Sequence, residues 1–194
     1  MIAAIILAAG QSKRMGQPKM LLPWGATTML GQIVETLQSA DMKEILVVTG
    51  AERERVEQIV AQYGVRSSPN LASGEMLSSM QVGLRVLRDN ASVAAALICL
   101  GDQPQVQDGS VRAVTEAFEA RKSSLVVPSY RMRRGHPWLV ARPLWEEILA
   151  MSPTESPREF LNRHAGEIEY VNVDNPSILA DLDTFEEYLK SRPL

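Results

Sequence analysis

The chain carries a single cysteine, Cys99, and only 5% aromatic residues. One cysteine excludes an internal disulfide framework. Its place inside the apolar run Val93–Leu100 predicts a buried core thiol rather than a nucleophile. No apolar stretch approaches the length of a membrane span. Ile2 to Ala9 are apolar, but no basic residues precede them and no cleavage pattern follows, so a secretory signal is not expected. Positive charge is not in excess: 20 Lys and Arg against 23 Asp and Glu leave a formal net charge of -3. That balance speaks against a general nucleic-acid or membrane binder, while leaving room for a local basic pocket. Internal repeats, low-complexity segments and long linkers are also missing. What is present is ordinary for a globular chain: 194 residues, 45% apolar and 22% charged. One domain, residues 1–194, with a full core and a cytoplasmic location is the expectation.

Short apolar runs alternate with amphipathic stretches. Ile2–Ala8, Glu44–Thr49, Val93–Leu100 and Ser124–Val127 read as strands, with a shorter one at Val65–Ser68. Helical spacing links Met29, Ile33 and Leu37, then Val56, Ile59, Val60 and Tyr63, then Leu77, Met80, Leu84 and Leu87, then Val111, Val114 and Phe118. Strands without polar alternation are buried on both faces, which indicates a parallel sheet covered by helices. The fold expected is α/β, an open sandwich of three layers around a mostly parallel, Rossmann-like sheet. Ligands of such sheets lie beyond the carboxyl ends of the strands. After Pro128 the pattern weakens. Tyr130–Gly135 reads as a turn, Trp138–Ala141 and Glu167–Val173 as strands, and Leu144–Leu149, Arg158–Asn162 and Thr184–Leu189 as helices.

The loop after the first strand has the composition of a phosphate cradle. Small residues at Ala8, Ala9 and Gly10 allow close backbone approach, and successive N–H groups in such a turn form an anion nest. Lys13, Arg14 and Lys19 put three cations within seven residues, and Gly16 permits a second bend. Neither the Walker spacing nor the dinucleotide-binding G-x-G-x-x-G is present, which argues against a dehydrogenase. The plainer reading is a solvated basic loop. Asp102, in Leu100-Gly101-Asp102-Gln103-Pro104, ends the run Val93–Leu100, where a carboxylate is placed to hold a hard cation such as Mg²⁺. The competing role, capping the next helix, is better served by Asp108-Gly109-Ser110. Asp181 and Asp183 would share one side of an extended segment. Asp183 with Glu186 also has the spacing of a helix N-cap and its acidic partner.

Two further segments concern selection. Gly74, Ser78 and Ser79 stand at a helix entry whose N-terminus favours polar or anionic groups, although for the segment taken alone simple helix entry is the commoner explanation. Arg131, Arg133 and Arg134 precede Gly135-His136-Pro137, and arginine forks suit phosphate oxygens, although a solvated cluster is the commoner explanation. Trp24 and Trp138 read as packing residues.

From residue 2 to about residue 190 the chain resembles the MobA-like nucleotidyltransferases, and within them the molybdenum cofactor cytidylyltransferases. The resemblance rests on Leu7-Ala8-Ala9-Gly10 with Ser12, Arg14, Met15, Gly16 and Lys19, on Leu21-Leu22-Pro23-Trp24, on Gly101-Asp102 with Pro104, on Gly135-His136-Pro137, and on Asp181 and Asp183 before Thr184. It implies a fold of the nucleotide-diphospho-sugar transferase type. It also implies CMP transfer from CTP to a molybdopterin-type acceptor, with loss of pyrophosphate, for a molybdenum hydroxylase client. By the same resemblance Leu7, Ala8, Ala9, Gly10, Ser12, Lys13, Arg14, Lys19, Gly74, Ser78 and Ser79 bind nucleotide. Lys19, Arg14 and Asp102 serve catalysis, Asp102, Asp183 and Asp181 hold Mg²⁺, and Arg134, Gly135, His136 and Pro137 meet the acceptor. Glu75 departs from the apolar residue usual in the cytidylyl branch, which keeps GTP open as donor. The same residues are compatible with a sugar or polyol phosphate as acceptor. They are also compatible with an accessory protein that carries the cofactor without catalysis.

Overall fold

The computed structural model describes residues 1–10, 15–72 and 75–193. Strand β1 (Ile2–Ala8) leaves the sheet through a segment containing a 3₁₀ turn at Lys19–Leu21. The short antiparallel strands β2 (Pro23–Trp24) and β3 (Thr27–Thr28) follow. Thr28 then caps α1 (Met29–Ser39) by accepting from the Gly31 N–H. Next come β4 (Glu44–Thr49), α2 (Arg53–Gln62), β5 (Arg66–Pro69), α3 (Met76–Arg88), β6 (Ala95–Leu100) and α4 (Asp108–Arg121). The remainder is β7 (Leu125–Tyr130), β8 (Arg133–Arg134), β9 (Trp138–Ala141), α5 (Trp145–Ala150), α6 (Pro157–Arg163), β10 (Ile168–Asn172) and α7 (Phe185–Ser191). The elements expected from apolar periodicity are present, with ends shifted by a few residues where caps decide the boundary.

The main sheet runs β10-β7-β9-β6-β1-β4-β5, with β8 paired to β7. Pairs β1/β4, β1/β6, β4/β5 and β7/β10 are parallel, and β9 is antiparallel to both β6 and β7. Alternate residues of β1 point to opposite faces. Ala4 and Ile6 pack with α1, α2 and α4, whereas Ala3, Ile5 and Leu7 pack with α3, α5 and α6. That is the three-layer arrangement expected, and it buries β1 on both sides. Cys99 lies in the core at 5% exposure, and burial pushes its thiol pKa up, as a core thiol requires.

The hairpin and the helix starts depart from expectation. Tyr130–Gly135 is not a plain turn, because β7 continues to Tyr130 and β8 returns along it. Arg131 and Met132 form the reversal with φ of 49° and 65°. A two-residue hairpin of this kind normally advertises itself with Asn or Gly, and neither is present. Asp108 is the first residue of α4 and Gln107 its cap position, although Asp108 Oδ1 still accepts from the Gly109 N–H at 2.7 Å. At α7 the cap is Thr184 with Glu187, not Asp183 with Glu186: both halves of a capping box form one residue later.

A satellite cluster carries the consequence for the site. Met15, Leu22, Trp24 and Met29 pack with Leu182 and Tyr188 from the far end of the chain. The Tyr188 hydroxyl donates to Pro23 O at 2.8 Å. Trp138, at 1% exposure, stacks on Phe160 with ring centroids 6.3 Å apart. Both expected packing tryptophans are therefore buried.

Beside the Phe160 ring, with centroids 4.8 Å apart, His164 joins α6 to its neighbours. Its Nε2 faces Glu147 Oε2 at 2.7 Å and its Nδ1 faces Glu167 Oε1 at 3.1 Å. Partial burial works against the imidazolium, but the hydrogen bonds and charges of Glu147 and Glu167 outweigh it and raise the pKa. A raised folded-state pKa stabilises below the unfolded value, and that gain is lost as pH rises through the folded one. Wild type should therefore exceed His164→Gln in stability by more at pH 5.5 than at pH 8.5. Urea unfolding at both values measures this, and an equal difference at both would exclude the linkage.

Candidate active site

The carboxyl ends of β1 and β6 lie side by side, and the loops leaving them are held in contact. The Gly101 N–H donates to Leu7 O at 3.1 Å, and a Cβ on Gly101 would stand 2.9 Å from that same oxygen. Only glycine lets the Asp102 loop lie this close to β1. Gly50, at the end of β4, is equally constrained: a Cβ there would meet Ala9 O at 2.5 Å. The backbone around Ala8 and Ala9 is thus gripped from both neighbouring strands. Leu7, Ala8 and Ala9 are buried at 7%, 5% and 2% exposure, and Gly10 emerges into solvent. Ser12, Lys13 and Arg14 lie outside the described residues, as does Gly74.

Lys19 stands at the centre. Its backbone sits in the 3₁₀ turn, and the residue is only 9% exposed. Its Nζ lies 2.5 Å from Asp102 Oδ2 and 3.5 Å from Asp183 Oδ1, and it donates to Leu182 O at 3.2 Å. Residues 19, 102 and 183, from the beginning, middle and end of the chain, therefore meet at one ammonium. The C-terminal partner arrives because Leu182 and Tyr188 are anchored in the Trp24 cluster. Asp181 completes the acidic group differently, since its Oδ1 accepts from Gln103 Nε2 at 2.6 Å. Desolvation raises the Asp181 pKa, and the Asp102 and Asp183 charges add to that.

The hard oxygens of Asp102 and Asp183 already bracket a positive charge, so the donor set fits a cation of the Mg²⁺ type. Among the described residues no three His, Cys, Asp or Glu side chains are assembled to hold a metal alone. Magnesium does not require that, since one or two carboxylates and substrate phosphates suffice.

On the β5 side, Asn70 organises the entry to α3. Its Nδ2 donates to Ser78 Oγ at 2.9 Å and Ser79 Oγ at 3.0 Å, and its Oδ1 accepts from the Ala72 N–H at 2.9 Å. Ser79 is 2% exposed, and the Ser78 hydroxyl donates to Glu75 O at 2.9 Å. Both hydroxyls thus accept from the Asn70 amide. On the β7 side, Arg134 donates to the Tyr170 hydroxyl at 2.8 Å and Asn162 Oδ1 at 2.9 Å, stacked over the Tyr170 ring. Arg131 lies over the ring of Tyr130. Gly135 packs on Ile178, where a Cβ would meet Ile178 O at 2.4 Å, and the His136 N–H donates to that oxygen at 3.0 Å. The His136–Pro137 peptide is cis. His136 Nε2 is buried with no hydrogen-bond partner among the described residues, and burial pulls the ring pKa down to about 4. The imidazole is therefore neutral at neutral pH.

The description "MobA-like NTP transferase domain" matches residues 4–168. The chain belongs to that family. This transferase is 26% identical to the molybdenum cofactor cytidylyltransferase of Escherichia coli (strain K12), over 98% of this chain and 95% of that one. It is 27% identical to the Nicotine blue oxidoreductase of Paenarthrobacter nicotinovorans, over 96% and 94%. It is 28% identical to a probable molybdenum cofactor guanylyltransferase of Bacillus mycoides (strain KBAB4), over 98% and 95%. Among solved structures, Rv0371c from Mycobacterium tuberculosis H37Rv superposes with a TM-score of 0.85 at 26% identity, covering 97% of this chain and 96% of that one. A manganese complex of Rv0371c shares the fold at a TM-score of 0.79 and 23% identity, covering 97% and 96%. A nucleotidyl transferase from Methanothermobacter thermautotroptrophicus gives 0.83 at 25%, covering 99% and 96%. The fold is that of the nucleotidyltransferases, and the transferase acts on a nucleotide. No described helix is long and apolar enough to cross a membrane.

Sequence reasoning overlooked three residues of this transferase's site. Gly50 follows a strand as Gly101 does, and that parallel was the available signal. Asn70 precedes the Ser78-Ser79 pair by one strand-to-helix connection, but only the folded chain brings its amide to both hydroxyls. Gln103 sits inside the Gly101-Asp102-Gln103-Pro104 motif, yet its partner is 78 residues away, beyond any local pattern.

Proposed function

We propose that the protein transfers CMP from CTP to a molybdopterin-type acceptor phosphate in the cytoplasm, releasing pyrophosphate and preparing cofactor for a molybdenum hydroxylase. The observation that carries this reading is the meeting of Lys19 with Asp102 and Asp183 at the mouth of β1 and β6. General likeness to relatives cannot carry it, because an oxidoreductase is as similar as the transferases. The absence of a dinucleotide fingerprint favours transfer over hydride chemistry.

In this reading the backbone from Leu7 to Gly10 and the side chains of Ser12, Lys13 and Arg14 surround the triphosphate. Asp102 and Asp183 would hold Mg²⁺, and the fold neighbour crystallised with manganese is a precedent for a divalent ion on this architecture. A bound ion would supply neutralisation of the triphosphate charge. An acceptor phosphate oxygen forms the new bond to the α-phosphorus, while the bond to the bridging oxygen breaks and pyrophosphate departs. Lys19 and Arg14 balance the charge that builds on the leaving group, which is where preorganised cations contribute most. No covalent enzyme intermediate is needed. Ser78 and Ser79, both bonded by Asn70, and Gly74 contact the nucleotide on the base side. Arg134, held in one orientation, and the Gly135-His136-Pro137 turn face the acceptor. The neutral His136 ring would offer a hydrogen bond rather than a charge.

Pyrophosphate release with Mg²⁺, purified molybdopterin acceptor and each of CTP, GTP, UTP and ATP tests the proposal. CTP should lead by at least about tenfold in kcat/KM, which corresponds to about 1.4 kcal/mol, the net worth of one hydrogen bond. A lead for GTP would move the assignment to guanylyl transfer. No release with any nucleotide would overturn it.

A further inference from the structure

Gln103 is 2% exposed, within the loop that carries Asp102. It stands in a tight turn: its N–H donates to Leu100 O at 3.4 Å, and its carbonyl accepts from Val106 N at 3.2 Å. A buried amide in such a place is unfavourable unless its polar atoms are used. Only one end is used. Nε2 donates to Asp181 Oδ1 at 2.6 Å, while Oε1 is buried with no partner among the described residues. Rotating the amide by half a turn would set its oxygen against the carboxylate, so Asp181 determines its orientation. Packing alone would be served better by an apolar side chain of the same length.

The partner's position supplies the reason. The segment from Pro176 to Asp183 crosses the mouth of the sheet. Ile178 packs on Gly135, Asp181 meets Gln103, Leu182 O accepts from Lys19, and Asp183 faces Lys19. Leu182 is anchored in the Trp24 cluster. Between Ile178 and Leu182, the Gln103 bond is the one side-chain tie to the Asp102 loop found among the described residues. We propose that Gln103 is a positioning residue: through Asp181 it latches the C-terminal strap to the Asp102 loop and so sets where the Asp183 carboxylate stands relative to Asp102. Asp181 is then the latch's keeper, and Asp102 and Asp183 are left as the ion's carboxylates. The inference rests on the function proposed above.

The test uses the full chain and Mn²⁺ with CTP present, read by equilibrium dialysis of the ion with the protein on one side of the membrane and CTP on both, so that the excess on the protein side reports binding to the protein. Gln103→Glu places two carboxylates together, and it should weaken Mn²⁺ binding by at least about tenfold, the scale for outer-shell partners of a metal site. Gln103→Leu should do the same by removing the donor. The isosteric exchange Gln103→Glu with Asp181→Asn rebuilds the bond with donor and acceptor reversed. It should return affinity to within about threefold of wild type, as coupled neighbours do in a double-mutant cycle. Hydrogen exchange of the ligand-free protein gives a second readout. Residues 176–184 should exchange faster in the single Gln103 variants and recover in the double variant, while β1 and β6 serve as the folding control. Unchanged exchange in the strap of the single variants overturns the latch. So does a double variant that binds Mn²⁺ as poorly as Gln103→Glu, since Asp181 would then itself hold the ion. If wild type binds no Mn²⁺ with CTP, the functional proposal fails, and the exchange measurement still decides the latch.

Discussion

Asp102→Ala should lower pyrophosphate release on the order of a thousand-fold, with little change in the midpoint of thermal unfolding. The two halves of this prediction share one cause. Asp102 is the partly exposed residue of an otherwise buried turn, its side chain 20% exposed, and it faces Lys19 at 2.5 Å. Removing it leaves Lys19 with Asp183 and Leu182 O, so the ammonium is not stranded. What disappears is a carboxylate between β6 and the substrate that would receive the ion. Asp102→Asn keeps the volume and removes the charge. It should fall nearly as far in activity, because charge rather than shape holds a hard cation. Pyrophosphate release and calorimetry on the same preparations test both halves. An Asp102→Ala protein retaining a tenth of wild-type turnover would remove Asp102 from the mechanism.

Lys19→Ala should damage stability as well as turnover. Activity should drop by about 100-fold to 1,000-fold, the range for loss of one preorganised group that stabilises developing charge. In the free protein the loss leaves Asp102 and Asp183 facing each other, with Asp181 nearby, without the ammonium now between them. Removing one member of a buried pair costs about 3 to 5 kcal/mol, and partial exposure of these carboxylates places the expected loss at about 2 kcal/mol. A divalent ion should substitute for the missing charge. Millimolar Mn²⁺ or Mg²⁺ should therefore raise the unfolding midpoint of Lys19→Ala more than that of wild type, by preferential binding to the folded state. Differential scanning calorimetry with and without the ion measures this. Equal ion-induced shifts in both proteins would mean that Lys19 does not share the carboxylates' site. Lys19→Arg is not a conservative control, because a planar fork does not fit where a compact ammonium meets three oxygens.

The dependence on one lysine explains why the fold invests in the far end of its chain. Leu182 and Tyr188 sit in a cluster with Trp24 and Leu22, apart from the two main cores on either face of the sheet. That packing carries Asp183 to Lys19 across 164 residues of sequence. The family description ends at residue 168, so the strap lies beyond it, although the relatives align over nearly the whole chain. The strap also touches the Gly135-His136-Pro137 turn through Ile178, tying acceptor side and carboxylates to one segment.

Local chemistry alone determined the main-sheet strands of the first two-thirds, the helices between them and the loops that hold Lys19 and Asp102, but not the short β2–β3 pair. Strands buried on both faces must be apolar throughout, and amphipathic helices must repeat every three or four residues. Those rules act within a few residues and so are written in the order of the chain. The hairpin at Arg131 and Met132 escaped them because its backbone uses left-handed geometry without the residues that usually mark it. The placement of β9 between β6 and β7, running against both, escaped because strand order depends on partners distant in sequence. Lys19 with Asp183, and Gln103 with Asp181, are likewise decided only by tertiary structure. A carboxylate's partner is whatever the packed chain brings within about 3 Å, and here the packing of Leu182 and Tyr188 against Trp24 does the bringing.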